Sequence, residues 1–270
     1  WRNLVDQEAL DAVADVATGR VSLYTLDRDP DGPVRFSPTM ARFIKSVDLK
    51  RSSLYQRVGL TWPARPVDCE FRQDGRLDVL DRANCTVVTL GESFAVEAKR
   101  GLIGFGELEL LAPFDMEPLG DGRIAITEPD HRRVRILGED EFDVTTLRIV
   151  AEPDAIPTAL LRTPRGLLVT DAAGHRILEV DLEGNVLRRS GAPGRGLGPD
   201  SYFKPAGIET SARGLFISDY GNHRLIVREY DDRGADAPDG IGAFRHAFGP
   251  YKFTDPANKS GQSDEQEVSQ

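Results

Sequence analysis

The side chains able to do chemistry in this 270-residue chain are few and regularly placed. Three of its four histidines, His131, His175 and His223, each stand nine residues after a glycine (Gly122, Gly166 and Gly214), and Asn84 stands nine after Gly75. A ring of imidazoles could hold a metal or a polar ligand. The same spacing suits a structural use, in which each side chain fills a turn and Arg176 or Arg224 pairs with Asp171 or Asp219. The structural use is the simpler one, because residues one repeat apart at a common radius lie too far apart to share one metal. Asp27, Asp29 and Asp31, followed by Gly32, have the spacing of a calcium loop, with apolar Val34 in place. The twelfth position is Pro38, where a bidentate Glu belongs, so Pro30-Asp31-Gly32 reads first as a hairpin turn. Calcium is the one cofactor this pattern offers; otherwise none is implied. The Gly191–Gly198 stretch could cradle a phosphate, but it lacks a Lys-Ser/Thr ending and opens no helix, so it reads as a link. No Gly-x-Ser-x-Gly elbow occurs, and His246 alone lies outside the repeats, so no catalytic residue is assigned.

These residues sit in repeats. The four glycines are spaced 47, 44 and 48 apart, and each is preceded nine residues earlier by a proline: Pro66, Pro113, Pro157 and Pro205. Three markers at one period define a repeat of about 45 residues. Within the first unit, strands are expected at Asp68–Phe71, Leu77–Leu80 and Cys85–Leu90. Runs such as Leu167-Leu168-Val169 and Leu215-Phe216-Ile217 are apolar without alternation, the pattern of strands buried on both faces. Small sheets of that kind must stack on one another. Residues 20–65 can supply a further unit, with strands at Val21–Leu26, Val34–Phe36, Phe43–Val47 and Tyr55–Leu60. Residues 4–17 read as a short amphipathic helix, residues 238–255 as a segment that closes the ring with the N-terminal part, and residues 256–270 as a polar, disordered tail. Cys69 and Cys85 fall in strands one and three of one unit, about 9–10 Å apart, and are expected as free, buried thiols.

The segment from Gly191 to Val227 resembles the NHL repeat: a Gly-rich lead, aromatic Phe203, Pro205-x-Gly207-Ile208, Gly214, Asp219 and Asn222-His223-Arg224 before an apolar strand. The unit at 157–189 matches through Asp171, His175 and Arg176. At 113–137 Thr127 replaces the Asp, and at 66–90 Leu80 replaces the Asp and Cys85 the Arg. The resemblance implies an all-β fold: a β-propeller of NHL-like four-stranded blades over residues 20–255, six-bladed with five units visible, with residues 1–19 as a helical lead. It also implies that Asn84, His131, Arg132, His175, Arg176, Tyr220, His223 and Arg224 lie on the blade-connecting face, with the turns Arg82–Asn84, Pro129–Arg132, Ala172–His175 and Tyr220–His223 and the link Arg195–Tyr202.

Function classes narrow accordingly. The net charge is −10, with 29% charged and 40% hydrophobic residues, a globular balance that opposes nucleic acid as a general partner. No apolar run is long enough for a membrane-spanning helix. The leading expectation is a non-enzymatic recognition or scaffold propeller that binds a protein, peptide or small ligand through the blade-connecting face. The alternative implied by the resemblance is a metal-dependent enzyme, either an amidating lyase or a calcium-dependent hydrolase. A chain starting at Trp1 and a short N-terminal helix suit a secreted or periplasmic protein or a sensor ectodomain.

Overall fold

A computed structural model describes residues 10–15, 20–26, 41–49, 64–91, 93–140, 143–191, 196–211, 214–230 and 241–249. The expected strands at Val34–Phe36 and Tyr55–Leu60, the Asp27–Asp31 loop and the tail at 256–270 lie outside these residues. The described chain forms five successive antiparallel sheets. Sheet 1 holds β1 (Leu10–Asp15), β2 (Arg20–Leu26) and β3 (Ala41–Asp48). Sheet 2 holds β4 (Pro66–Phe71), β5 (Leu77–Asp81), β6 (Thr86–Leu90) and β7 (Val96–Arg100). A link with two short parallel strands, β8 (Leu102–Ile103) and β9 (Glu109–Leu110), leads to sheet 3. Sheet 3 is β10 (Met116–Pro118), β11 (Ile124–Glu128), β12 (Arg133–Leu137) and β13 (Val144–Leu147). Sheet 4 is β14 (Pro157–Thr163), β15 (Gly166–Asp171), β16 (Arg176–Val180) and β17 (Val186–Ser190). Sheet 5 is β18 (Gly207–Ser211), β19 (Gly214–Asp219), β20 (Arg224–Tyr230) and β21 (Ile241–Phe248).

In each sheet the strands pair in sequence order. The first strands then pack in series, β1 on β4, β4 on β10, β10 on β14 and β14 on β18. Meandering four-stranded sheets whose first strands lie side by side are the blades of a β-propeller. The non-alternating apolar runs are explained by four cores, each shared by two adjacent blades. On β5, Leu77 and Val79 join Val21 and Leu49 in the core facing sheet 1, whereas Leu80 joins Met116 and Ile124 in the core facing sheet 3. On β15, Leu167 and Val169 face sheet 3, and Leu168 faces sheet 5. A period-2 strand with both faces covered buries successive side chains on opposite sides, so its apolar residues need not alternate with polar ones.

Three expectations change. Residues 10–15, placed within a helix at 4–17, form strand β1, paired with β2 from Leu10↔Thr25 to Asp15↔Arg20; residues 4–9 and 16–17 lie outside the described ones. Backbone pairing with β2 and packing on β4 override a short 3.6-residue pattern, since helices this short are marginal alone. Segment 241–248, placed against the N-terminal part, is instead the fourth strand of its own blade, paired with β20. The six-bladed expectation changes too: the described residues form four complete four-stranded blades and the three-stranded sheet 1, which begins at Leu10, ahead of the expected unit at 20–65.

Candidate functional site

The turn between the second and third strands of each complete blade is built around one buried carboxylate. Asp81, Glu128, Asp171 and Asp219 all have no exposed surface. Each accepts a hydrogen bond from the backbone N–H of the link entering its own blade: Arg65 to Asp81 at 2.9 Å, Leu111 to Glu128, Ile156 to Asp171 at 3.0 Å and Phe203 to Asp219 at 2.6 Å. The second oxygen takes a side chain from the turn or the next strand. Asn84 Nδ2 donates to Asp81 at 2.6 Å, Arg133 Nε to Glu128 at 2.5 Å, Arg176 Nε to Asp171 at 3.0 Å and Arg224 Nε to Asp219 at 2.7 Å. Buried charge survives here because each carboxylate is fully hydrogen-bonded.

This geometry corrects the repeat alignment. The acid in the first two units is Asp81 and Glu128, one residue beyond Leu80 and Thr127, and Thr86 and Arg133 occupy the Arg position. In the later units Gly166 and Gly214 begin their strands, whereas a residue (Arg76, Arg123) separates Gly75 and Gly122 from theirs. The extra residue shifts the register by one. Cys85, Arg132, His175 and His223 consequently share one position, the left-handed residue closing the turn, with φ of 50°, 52°, 56° and 53°. His131 corresponds instead to Asn84, Gly174 and Asn222. Cys85 therefore lies in the turn, outside the third strand, which starts at Thr86. Neither Cys69 nor Cys85 is in a disulfide, and both are buried.

Of the eight face residues selected from the sequence, Asn84, Arg176 and Arg224 belong to these carboxylate latches. Asn84 and Arg224 are buried, and Arg176 also reaches Glu152 at 2.6 Å. The other five border solvent. Tyr220 is 66% exposed; His223 is exposed, and Arg132 pairs with Asp154 on the surface. His131 stacks edge-on against Phe105 with ring centroids 6.1 Å apart, and His175 against Phe203 at 5.0 Å. His175 Nδ1 accepts the Lys204 N–H at 3.3 Å. Lys204 Nζ lies 5.8 Å from the Phe203 ring centre, and the Arg82 guanidinium 6.0 Å from that of Phe114. Around these turns aromatic rings lie beside cationic or imidazole groups, and Leu102, Ile103, Phe105 and Leu108 of the link after sheet 2 are exposed. Asp27, Asp29 and Asp31 lie outside the described residues.

A second polar region was not anticipated. Glu70, Glu117 and Glu209 occupy one position of the first strands, opposite Asp78, Ala125 and Phe216 of their neighbours. Sheets 2 and 5 are separated by two blades, yet Glu209 raises the proton affinity of both Glu70 and Asp68. These carboxylates therefore share the space that the first strands enclose. Burial, then repulsion from Asp68, Glu117, Glu209 and Asp115, pushes Glu70 up to about 10. Burial and Glu209 push Glu117 up to about 8. Burial raises Asp68 to about 6 against the hydrogen bonds it accepts from Met116 and Cys69. Asp115 is also raised by burial and by Asp68, while Leu160 N–H donates to it at 2.8 Å. Asp68 and Asp115 therefore stitch β4 to β10 and the start of β10 to β14, since Asp68 accepts Met116 N–H at 2.8 Å. The sequence did hold a signal for these acids: Asp68 and Asp115 lie two residues after the repeat proline, and Glu70, Glu117 and Glu209 four after. Among the described residues no group of three or more His, Cys, Asp or Glu is arranged to hold a metal ion, and no helix is long and apolar enough to cross a membrane.

No protein-family model and no curated protein matches the chain. Solved structures do. A catalytically inactive virginiamycin B lyase from Staphylococcus aureus with quinupristin aligns at TM-score 0.55 and 12% identity, over 83% of this chain and 64% of that one. The Cps50 (Swd1) β-propeller domain of Myceliophteria thermophila aligns at TM-score 0.56 and 13% identity, over 90% and 68%. A functionally unknown protein from Desulfotomaculum acetoxidans aligns at TM-score 0.52 and 11% identity, over 89% and 67%. The chain spans just under two thirds of the lyase. At these identities the likeness establishes the fold, a β-propeller, which serves a lyase in one neighbour and belongs to Swd1 in another.

Proposed function

We propose that the protein is a recognition propeller of NHL-like blades that binds a protein, peptide or small ligand through the face carrying its second-to-third-strand turns. The observation that carries this reading is the repeated pairing of rings with cationic or imidazole groups: Arg82 with exposed Phe114, His131 with exposed Phe105, and Lys204 and His175 with half-buried Phe203. Aromatic and Arg side chains are the groups from which interface hot spots are built. The carboxylate latches beneath hold the turns rigid, so little ordering cost is left for binding. Asn84, Arg176 and Arg224 serve as supports, and Arg132, His131, His175, Tyr220 and His223 as the contacting set.

The test compares variants on the two faces. Phe105→Ser, Arg132→Ala and Tyr220→Ala are expected to lose a partner crosslinked to the native protein. Arg76→Ala and Arg123→Ala, in turns on the opposite face, are expected to keep it. Equal retention by both sets refutes the assignment. A metal-dependent enzyme remains the second reading, supported by the lyase among the structural neighbours, although among the described residues the first-strand carboxylates are not arranged to hold a metal. Burial and the neighbouring carboxylates make Glu70 and Glu117 hold their protons more tightly than usual, so a cation would have to displace them. Calcium or zinc titration would then release acid, and a titration without proton release counts against that reading.

A further inference from the structure

A pocket of about 420 Å³, partly open to solvent, lies between sheets 4 and 5. One wall is the face that sheet 4 turns toward sheet 5. Leu168 on β15 stands opposite Glu179 on β16, which stands opposite Arg188 on β17; in the adjacent row Ile177 stands opposite Ser190. Arg228 of β20, Ile241 of β21 and Asp200 of the link complete the lining.

The charges of this cavity do not cancel locally. Arg165 grips Glu179 through both carboxylate oxygens, with Nε donating to Oε1 at 3.1 Å. Arg228 Nη2 donates to Asp200 at 2.8 Å. Arg189, which also lines the cavity, donates to Glu152 at 2.8 Å. Arg188 differs. Its one ion pair is Nε to Glu179 Oε2 at 3.7 Å, and among the described residues its side chain makes no hydrogen bond. Its side chain is only 20% exposed. A half-buried guanidinium fork therefore faces a pocket floored by the edges of Leu168, Ile177 and Ile241, core residues that are otherwise buried between the two sheets.

We propose that this cavity binds a small amphipathic carboxylate, with the carboxylate on the Arg188 guanidinium and the apolar body against Leu168, Ile177 and Ile241. A planar carboxylate matches the fork in a bidentate geometry. A dianion is a poorer match, because the other guanidinium groups of the lining already hold carboxylates. The volume lies in the range of small-molecule pockets. The site is separate from the recognition face and does not depend on that reading.

Calorimetry on the full chain tests it with three probes: octanoate, octanamide and inorganic phosphate. Octanoate is expected to bind about tenfold tighter than octanamide, the worth of one charge-assisted hydrogen-bond pair. Arg188→Gln is expected to reduce octanoate to the octanamide level and leave octanamide unchanged. Isotope-labelled native protein should show Ile177 and Ile241 methyl shifts on octanoate addition, which decides the matter even if the variant folds poorly. The proposal is overturned if octanoate fails to bind at tens of millimolar, if octanamide binds equally, or if Arg188→Gln leaves octanoate affinity intact. Phosphate binding as tightly as octanoate would overturn the amphipathic assignment.

Discussion

Replacing Glu70 by Gln is expected to stabilise the protein, by an amount that depends on pH. Glu70 lies among the first-strand carboxylates, and its ordinary value of 4.5 is raised to about 10 by burial and by the charges of Asp68, Glu117, Glu209 and Asp115. Between those values the folded state holds a proton that the unfolded state has released. Stability therefore falls as pH rises through that window, by at most about 1.4 kcal/mol per unit. From pH 4.5 to pH 7 the interval is two and a half units, giving a ceiling of about 3.4 kcal/mol. Glu70 is only partly buried, so water screens part of this, and a gain of about 1–3 kcal/mol at pH 7 is the expectation. Glutamine keeps the shape and removes the titration. Urea melts of the native and Glu70→Gln proteins, monitored by tryptophan fluorescence at pH 4.5, 6, 7 and 8, measure the difference. The two should agree near pH 4.5 and diverge above it. A difference that stays constant with pH, or a glutamine variant less stable at pH 7, refutes the reasoning that these carboxylates share one desolvated space.

Other outcomes follow from the same structure. Asp219→Asn leaves the buried Arg224 without its charge partner and should cost about 3–5 kcal/mol in chemical denaturation; a cost below 1 kcal/mol would show that the latch is not structural. His223→Gly relieves a left-handed backbone at an exposed residue and should be neutral or stabilising by up to about 1 kcal/mol, read as a rise in Tm. Glu117→Gln should act as Glu70→Gln does, with its pH dependence ending near pH 8. Both cysteine thiols should resist thiol reagents in the native protein and react on unfolding, since Cys69 and Cys85 are 8% and 2% exposed and burial raises the Cys85 thiol; rapid native labelling would contradict their burial.

Much of the fold was legible because a propeller repeats its chemistry. Proline, glycine and a polar turn recur at one period, and apolar runs without alternation announce strands covered on both faces. The turn itself was read one residue out of register in the first two units, because Arg76 and Arg123 follow the glycine before the strand begins. Counting from glycine aligned the three histidines; counting from the buried carboxylate separates His131 from the other two. That distinction depends on hydrogen bonds to Arg65, Leu111, Ile156 and Phe203, residues 15–17 positions away, which no local pattern displays. The strand at Leu10–Asp15 was misread as a helix for a related reason: its partners are β2 and β4, and tertiary pairing outweighs a short periodic pattern.

By itself the sequence determined that the chain is built from stacked units of about 45 residues and that its turns carry His, Asn and Arg. Local backbone preferences and two-sided burial are written in residue type and spacing. Only the tertiary structure decided which of those polar residues support the turns and which meet solvent. It also brought Glu70, Glu117 and Glu209 together and left Arg188 facing a cavity. These outcomes depend on distances between residues tens to more than a hundred positions apart. Electrostatic energy varies with separation and burial in space, and both are set only when the blades close on one another.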